Sequence, residues 1–157
     1  MQHQEILTTV AGMEFEAHLP PFDDRLLGSV RDLAFLVWGE FDLDLQWRLS
    51  SMPNPMVLSA SSSGHLLAFK CGYALTQTRY YSWLGAVHPD HRRQGLASRL
   101  TEMQHAWLAG RAYTAVETAA DKDNTAMAAL NLRHGFVPHG LRTEPQRIQI
   151  LYAKQLP

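Results

Sequence analysis

The sequence predicts one mixed α/β domain, in which a central sheet of about six or seven strands is flanked by four helices. Three observations lead to this prediction. Apolar runs rich in aromatic and β-branched residues alternate with segments whose apolar residues recur at helical spacing. The strands predicted at 80–87 and 113–118 are separated by a crossover helix, so they should run parallel. The chain has 157 residues, enough for a single domain with its own core over residues 1–157.

The N-terminal half begins with a strand-like segment and two helical segments. Its predicted elements are a strand within residues 5–19, a helix that starts at Asp23 or Asp24 and includes Val37, a short helix from Phe41 to Leu49, and strands at 56–60 and 65–75. Either aspartate is a good N-cap, because its side chain can accept a hydrogen bond from a free backbone N–H group. Gly12 interrupts the first strand, and Gly64 suits the positive φ of a hairpin turn.

The C-terminal half alternates strands and helices. Its predicted elements are strands at 80–87 and 113–118, helices at 95–109 and from Asn124 to Gly135, and closing strands at 136–141 and 147–153. Asn124 is expected to cap its helix, and Gly110 and Gly135 are expected to end the two helices.

The composition favours a globular protein of a reducing compartment. Hydrophobic residues make up 46% and charged residues 18%, and a formal net charge of −1 argues against nonspecific nucleic-acid binding. Cys71 is the one cysteine, which excludes an internal disulfide. No stretch reaches the roughly 18 apolar residues of a membrane span, and the N-terminus lacks a secretory pattern, so we expect a cytoplasmic protein without membrane contact. No metal site is predicted, because the histidine pairs lack a third ligand.

A basic loop precedes the helix at 95–109. Arg92-Arg93-Gln94-Gly95-Leu96-Ala97 places two cations, a glycine and a small residue where the chain turns into the helix. A helix N-terminus leaves about four N–H groups without intrahelical partners, and its dipole favours negative charge. Gly95 lets the backbone approach an anion closely, and Ala97 keeps the first turn slim. We therefore expect a phosphate or pyrophosphate there, although neither known nucleotide-binding fingerprint matches the loop.

Two motifs resemble those of the GCN5-related N-acetyltransferase (GNAT) superfamily. The segment from Val87 to Ala97 reads V-x-P-x-x-R-x-x-G-x-A and is similar to the acetyl-CoA-binding motif Q/R-x-x-G-x-G/A. The segment from Asn124 to Phe136 is similar to the later motif N-x-x-A/M-x-x-L-Y-x-x-x-G-F. The two occur in the family's order, with a strand-like segment between them. Together they cover roughly residues 80–137.

The resemblance implies that acetyl-CoA is the acyl donor. It also implies that the strand at 80–87 carries a bulge and splays from the strand at 113–118, so that the donor's thioester arm lies in the gap. Pantetheine amides would pair with backbone near Val87, and the pyrophosphate would sit on N–H groups of residues 93–98. The cofactor-binding residues implied in this way are Ala86, Val87, Arg92, Arg93, Gln94, Gly95, Leu96, Ala97, Ser98 and Asn124.

The catalytic residues implied by the resemblance are Glu117, Tyr81 and Asn131. Tyr81 occupies the position of a general-base glutamate in histone-type relatives, and Glu117, across the gap, is the chemically better base. Asn131 replaces the tyrosine that protonates sulfur in many relatives. An amide cannot act as an acid, although its NH₂ can donate a hydrogen bond to sulfur. Other candidates are His88 and His91 as bases, Tyr80 and Tyr113 as acids, and the backbone N–H of Val87 as oxyanion donor.

The resemblance thus implies an N-acetyltransferase that acts on a primary amine of a small molecule or peptide by direct attack. A non-catalytic acyl-CoA sensor or partner module is the main alternative, and a different anion binder is a further one. The closing strands 136–153 could pair between subunits, so a homodimer is possible.

Aromatic and acidic residues cluster in the second helical segment, and two interpretations explain them. They could form an acceptor wall for a cationic amine, or they could belong to an ordinary packed helix with a solvated charged edge. The residues are Trp38, Glu40, Phe41, Asp42, Asp44 and Trp47.

Overall fold

The computed structural model describes residues 4–39 and 44–157. Its strands are β1 Gln4–Val10, β2 Met13–His18, β3 Met56–Ser62, β4 His65–Ala74, β5 Arg79–Val87, β6 Ala115–Asp121, β7 Val137–Glu144 and β8 Arg147–Gln155. Its helices are α1 Asp24–Trp38, α2 Leu45–Ser51, α3 Leu96–Ala109 and α4 Thr125–Arg133, with a 3₁₀ turn at Pro89–His91. The described residues form one eight-stranded sheet in the order β1-β2-β3-β4-β5-β6-β8-β7. The mixed α/β class is confirmed.

The predicted strand count was slightly low, because the first predicted strand is a hairpin. Ala11 and Gly12 have φ values of 52° and 77°, so the chain reverses there and β1 pairs antiparallel with β2. Gly12 was interpreted as an interruption within one strand. Two consecutive residues with positive φ match the twist of a tight hairpin, which is why the turn forms at this point.

Other local predictions are confirmed. Asp23 caps α1, and its side chain accepts a hydrogen bond from the backbone N–H of Arg25 at 2.7 Å. Asn124 caps α4 in the same way through Met127 N, at 3.1 Å. Gly64 has φ 77° in the turn between β3 and β4. The predicted parallel pairing of the strands before and after α3 is also observed.

Two hydrophobic cores lie on the two faces of the sheet. On one face, which we call the α3 face, Leu100 and Leu108 of α3 pack with Tyr80 and Phe136. On the other, the α1 face, Val30 of α1 packs with side chains of α2, β4 and β5. β7 is one edge of the sheet, and nearly all of it is exposed to solvent. That the closing strands pair between two subunits of a homodimer stays a prediction.

The sheet opens at its centre, between β5 and β6. Their parallel pairing runs from Arg79 opposite Ala115 to Ser82 opposite Thr118 and goes no further. At the same level β5 bulges: Leu84 pairs with Cys71 and Ser82 with Gly72, which leaves Trp83 as an extra residue. A bulge bends its strand and increases the local twist, so β5 turns away from β6 beyond Ser82.

Candidate functional site

The gap between β5 and β6 presents unpaired backbone edges. His88 N donates to Leu67 O of β4 at 2.7 Å. Because successive residues of a strand direct their N–H groups to opposite sides, the N–H groups of Gly85 and Val87 face the gap. An extended ligand with amide groups can therefore pair with β5 there, as a further strand would. This is the backbone around Ala86 and Val87 that the sequence resemblance implicated.

The basic loop at residues 92–95, which we call the anion loop because the sequence predicts an anion there, lies at the wide end of the gap. Arg93 and Gly95 have φ values of 62° and 77°, and Gly95 is the N-cap of α3. The first helical hydrogen bond joins Arg99 N to Gly95 O at 3.0 Å, so the N–H groups of residues 96–98 have no intrahelical acceptor. Leu96 anchors the first turn in the core at 5% exposure.

The cations of this loop are open to solvent. Arg92, Arg93, Gln94 and Gly95 are all exposed, and a Cβ placed on Gly95 would meet no atom within 4 Å. The loop therefore has N–H groups without intrahelical partners, two exposed cations and open space around Gly95, a combination that suits a phosphate group.

Ser98 connects α3 to α4. Its Oγ lies 2.6 Å from Nε2 of His134, and burial lowers the pKa of that histidine below its ordinary value of 6.5. The hydroxyl expected to contact pyrophosphate is thus held by the His134 side chain, whose charged form is disfavoured by burial. Asn124, at the other end of α4, uses its side-chain oxygen as the N-cap.

A pocket of about 220 Å³ opens where the two strands separate, on the α1 face. Glu117 contributes its carboxylate, which forms an ion pair with Arg79 and lies 4.0 Å from Nε2 of His139. Tyr81 is the register partner of Glu117, so both side chains reach the same pocket. The lining residues are Tyr73, Leu75, Tyr81, Glu117, Thr118, His139, Arg142 and Leu151.

An aromatic and cationic border surrounds Tyr81. Its ring centroid is 5.6 Å from that of Tyr73, and Arg142 Nη2 donates to its hydroxyl at 3.4 Å. Arg48 of α2 donates to the Tyr73 hydroxyl at 3.0 Å, and its guanidinium lies 4.9 Å from the ring centroid of Trp83. Sequence reasoning missed Tyr73, His139 and Arg142. Only strand register brings them together, and no local motif signals it.

Asn131 lies on the α3 face. The residue is 4% exposed, and its Nδ2 has no hydrogen-bond partner. An unpaired buried amide donor is costly, and such groups often mark a position that a ligand or water occupies. The role that the resemblance implied for this amide, a hydrogen bond to sulfur, stays a prediction.

The other acid and base candidates are occupied elsewhere. Tyr80 is fully buried, donates to Asn54 O at 3.0 Å and has its pKa raised by burial, while the Tyr113 hydroxyl accepts from Asn54 Nδ2 at 3.2 Å. His88 caps the 3₁₀ turn through Asp90 N at 3.1 Å, and its ring packs edge-on against that of His91. These four residues therefore have structural roles away from the pocket.

The predicted acceptor wall lies only partly within the described residues. Glu40, Phe41 and Asp42 lie outside them. Asp44 is the N-cap residue of α2, and Trp47 is 61% exposed. The aromatic residue of α2 thus points to solvent, and Trp83 of β5 forms the aromatic border instead.

Comparison with known proteins identifies the class of protein that this fold and site define. The model of the acetyltransferase (GNAT) family matches residues 24–136. This match includes both sequence motifs, the separating strands β5 and β6, and all of α1 to α4. The chain belongs to the GNAT acetyltransferase family. No curated protein matches its sequence significantly.

Solved structures share the fold at low sequence identity. The chain is similar to the ribosomal-protein-S18-alanine N-acetyltransferase of Escherichia coli, with TM-score 0.74, 18% identity, and coverage of 89% of this chain and 94% of that one. A GNAT family acetyltransferase from Elizabethkingia anophelis with acetyl-CoA bound gives TM-score 0.74 at 15% identity, covering 94% and 100%. The aminoglycoside 6'-N-acetyltransferase of Enterococcus faecium gives TM-score 0.72 at 14% identity, covering 90% and 97%. Across the described ranges, no helix combines the length and apolarity needed to cross a membrane.

Proposed function

We propose that this protein is an acetyl-CoA-dependent N-acetyltransferase that acts on a primary amine of a small molecule or peptide. One observation carries the proposal: the gap between β5 and β6 lies between the N-terminus of α3, with its exposed arginines, and Thr118, which lines a pocket together with Glu117. The family match supports the donor, and the three similar structures support acyl transfer, because two of them are named for amine acceptors.

The chain's own residues fit the donor. The N–H groups of residues 96–98 would hold the pyrophosphate, with Arg92 and Arg93 adding charge, and the gap-facing backbone of Gly85 and Val87 would pair with the pantetheine amides. Bound acetyl-CoA would supply an activated acyl thioester. A backbone N–H of the bulged strand would donate to the carbonyl oxygen as negative charge develops there.

The pocket on the α1 face would bind the acceptor. An alkylammonium has a pKa near 10.4, so the amine must lose a proton before it can attack. Glu117 would attract the ammonium group and accept its proton, directly or through water, while Tyr81 and Tyr73 would contact the carbon skeleton. The arginine ion pair would orient the carboxylate at the pocket wall.

A non-catalytic acyl-CoA sensor is the second candidate. The observation that favours it is that Glu117 already pairs with Arg79, while Asn131 stands where many relatives have a tyrosine. A sensor would bind acetyl-CoA without releasing CoA in the presence of any amine. A transferase would release CoA in proportion to the acetylated amine.

The first experiment is calorimetric titration with acetyl-CoA of the parent protein and of Gly95→Glu. The glutamate places bulk and negative charge in front of the free N–H groups, so binding should be lost. Gly64→Glu is a matched control, because Gly64 also has φ 77° and open space around its Cα, but lies in the β3–β4 turn. Both variants carry the same backbone strain, and only Gly95→Glu should lose binding.

Absence of binding to the folded parent protein contradicts the proposed function and the sensor alternative together. Equal loss of binding in both variants contradicts the assigned loop. If the parent binds, a panel of amines, amino acids and peptides monitored by CoA release separates transferase from sensor.

A further inference from the structure

The two tyrosines of the pocket on the α1 face each accept a hydrogen bond from an arginine. Arg142 Nη2 donates to the Tyr81 hydroxyl at 3.4 Å, and Arg48 Nη1 donates to the Tyr73 hydroxyl at 3.0 Å. The two rings are neighbours, with centroids 5.6 Å apart. Tyr73, Tyr81 and Arg142 line the pocket, and Arg48 reaches it through the Tyr73 hydroxyl. We call these four contacting side chains the tyrosine–arginine row.

Both hydroxyls of the row have a proton left to donate. A guanidinium group can only donate, so each tyrosine oxygen is the acceptor in its bond with arginine. Among residues 4–39 and 44–157, neither hydroxyl donates a hydrogen bond to another residue. Burial raises the pKa of Tyr73 above its ordinary value of 10, so its hydroxyl keeps the proton at neutral pH. The acceptor for these two O–H groups must therefore come from solvent or from a ligand.

The arginines of the row also have unused donors. Arg142 directs Nε and Nη2 to the side-chain oxygen of Gln149, and its Nε lies 3.6 Å from Glu144. Its Nη1 has no acceptor in the described part of the chain. Arg48 uses Nη1 for Tyr73, and it forms no ion pair with a carboxylate of the described residues. The row thus offers hydrogen-bond donors that carry positive charge.

Positive charge exceeds negative charge around this pocket. Glu117 is the one carboxylate among the lining residues, and it already pairs with Arg79. His139 lies 4.0 Å from Glu117 and adds positive charge when it is protonated. Arg142 is offset in part by its neighbouring glutamate, whereas Arg48 lacks such a partner within the described ranges. A ligand with an ammonium group alone would leave this surplus uncompensated, and a ligand that also carries an anion would offset it.

We propose that the acceptor amine also carries an oxyanion, a carboxylate or a phosphate, which is bound by the hydroxyls of Tyr73 and Tyr81 and by the guanidinium of Arg142. This inference rests on the proposed function and narrows its acceptor. The ammonium lies at Glu117 and the oxyanion at the row, within one pocket of about 220 Å³. The planar fork of arginine matches both kinds of oxyanion. Amino acids and acidic peptides belong to this class, and polyamines do not.

The test compares ligands that share an aminopropyl group and differ at the other end. The ends are a carboxylate (4-aminobutanoate), a phosphonate (3-aminopropylphosphonate), a methyl group (butylamine) and an aminomethyl group (1,4-diaminobutane). Binding is measured by calorimetry on the protein saturated with CoA, where no acyl group can be transferred. Homologues with shorter and longer chains are titrated in the same way, because the spacing between ammonium and oxyanion must match the pocket.

At the matching chain length, one of the two anionic ligands should bind about 10-fold to 100-fold more tightly than the methyl ligand. Charge-assisted hydrogen bonds to several donors have this effect. The aminomethyl ligand should bind no better than the methyl ligand, because a second cation meets the surplus positive charge. The ratio between carboxylate and phosphonate shows which oxyanion the row prefers.

Two variants test the row itself. Arg142→Gln should reduce the preference for the anionic end to about twofold or less, and the arginine is exposed, so the fold should tolerate the change. Tyr81→Phe keeps the ring and removes one donor, and should reduce the preference about threefold to tenfold. Arg147→Gln is the matched control. Arg147 lies on the same hairpin and also pairs with Glu144, but it does not line the pocket. It removes the same charge and should keep the preference of the parent protein.

Equal binding of the anionic and methyl ends at every chain length, or tighter binding of the aminomethyl end, overturns the inference. Full preference in both Arg142→Gln and Tyr81→Phe, or equal loss in Arg147→Gln, overturns the assignment to the row. The titrations are repeated on the protein without CoA, so they test the pocket in either state. Failure of the parent protein to bind CoA, or to release it from acetyl-CoA with any amine, instead contradicts the proposed function.

Discussion

Thr118 Oγ1 donates a hydrogen bond to Ser82 O at 2.8 Å, at the last position where β5 and β6 pair. Both residues are buried, at 7% and 2% exposure. The bond joins the strands at the apex of the gap, one residue before the bulge at Trp83. It therefore holds the two strands together at the point where the gap begins.

The first prediction concerns Thr118→Val, which keeps the side-chain shape and removes this donor. The buried Ser82 carbonyl then lacks its partner, so the free energy of unfolding should fall by about 1–2 kcal/mol. The KM for acetyl-CoA should rise, because the apex loosens. Urea unfolding and steady-state kinetics measure the two effects. Thr143→Val, at an exposed position of β7, is the control and should change neither quantity. An unchanged KM in a destabilised Thr118→Val would separate the apex from donor binding.

The second prediction separates two roles of Asn124. Asn124→Ala removes the N-cap of α4 and should lower the free energy of unfolding by about 1 kcal/mol. Asn124→Ser keeps a capping oxygen but lacks the amide NH₂, so its stability should stay near that of the parent protein. If the amide also contacts the pantetheine arm, Asn124→Ser should bind acetyl-CoA more weakly in calorimetry. Parent-like binding by Asn124→Ser would leave capping as the residue's whole role.

The third prediction concerns Glu117→Gln. The change removes the proposed proton acceptor of the pocket while keeping the size of the side chain, and kcat/KM for the amine should fall about 10²-fold. Stability should change by less than about 1 kcal/mol, because Arg79 is half exposed and the ion pair is screened. Glu144→Gln is the control, since Glu144 also pairs with an arginine, Arg147, but on the exposed hairpin of β7 and β8. Equal activity in both variants would remove Glu117 from catalysis.

The fourth prediction is a pH dependence of stability from His105. Burial lowers its pKa from 6.5 to about 3, so the folded protein keeps this ring neutral while the unfolded chain binds a proton below about pH 6.5. The free energy of unfolding should therefore fall as the pH decreases from 6.5 towards 3, by at most about 1.4 kcal/mol per pH unit from this one group. Urea unfolding at pH 7, 6 and 5 measures the slope. His105→Gln should have the smaller slope, and identical slopes in both proteins would contradict the assignment.

Local chemistry explains which features were predictable. The anion loop depends on Gly95 at the start of α3, and the cap of α4 depends on Asn124, so each is determined by a few consecutive residues. The hairpin at Gly12 was equally local, but one glycine is compatible with both an interrupted strand and a turn. Ala11 decides between them by also adopting a positive φ.

The acceptor pocket was predictable only in part. Tyr81 and Glu117 were found because the resemblance placed them on the two central strands. His139 and Arg142 come from β7, which reaches the pocket only because β8 lies between β6 and β7. That strand order is fixed by long-range pairing, and the sequence around each residue does not encode it.

The sequence by itself determined the family, the basic loop at the start of α3, the helix caps and the parallel central pair, because each depends on short-range backbone conformation and on motifs of consecutive residues. Only the tertiary structure decided where the gap begins and which side chains border the pocket. Those properties depend on strand register and on a bulge. A shift of one residue in register sends a side chain to the opposite face of the sheet.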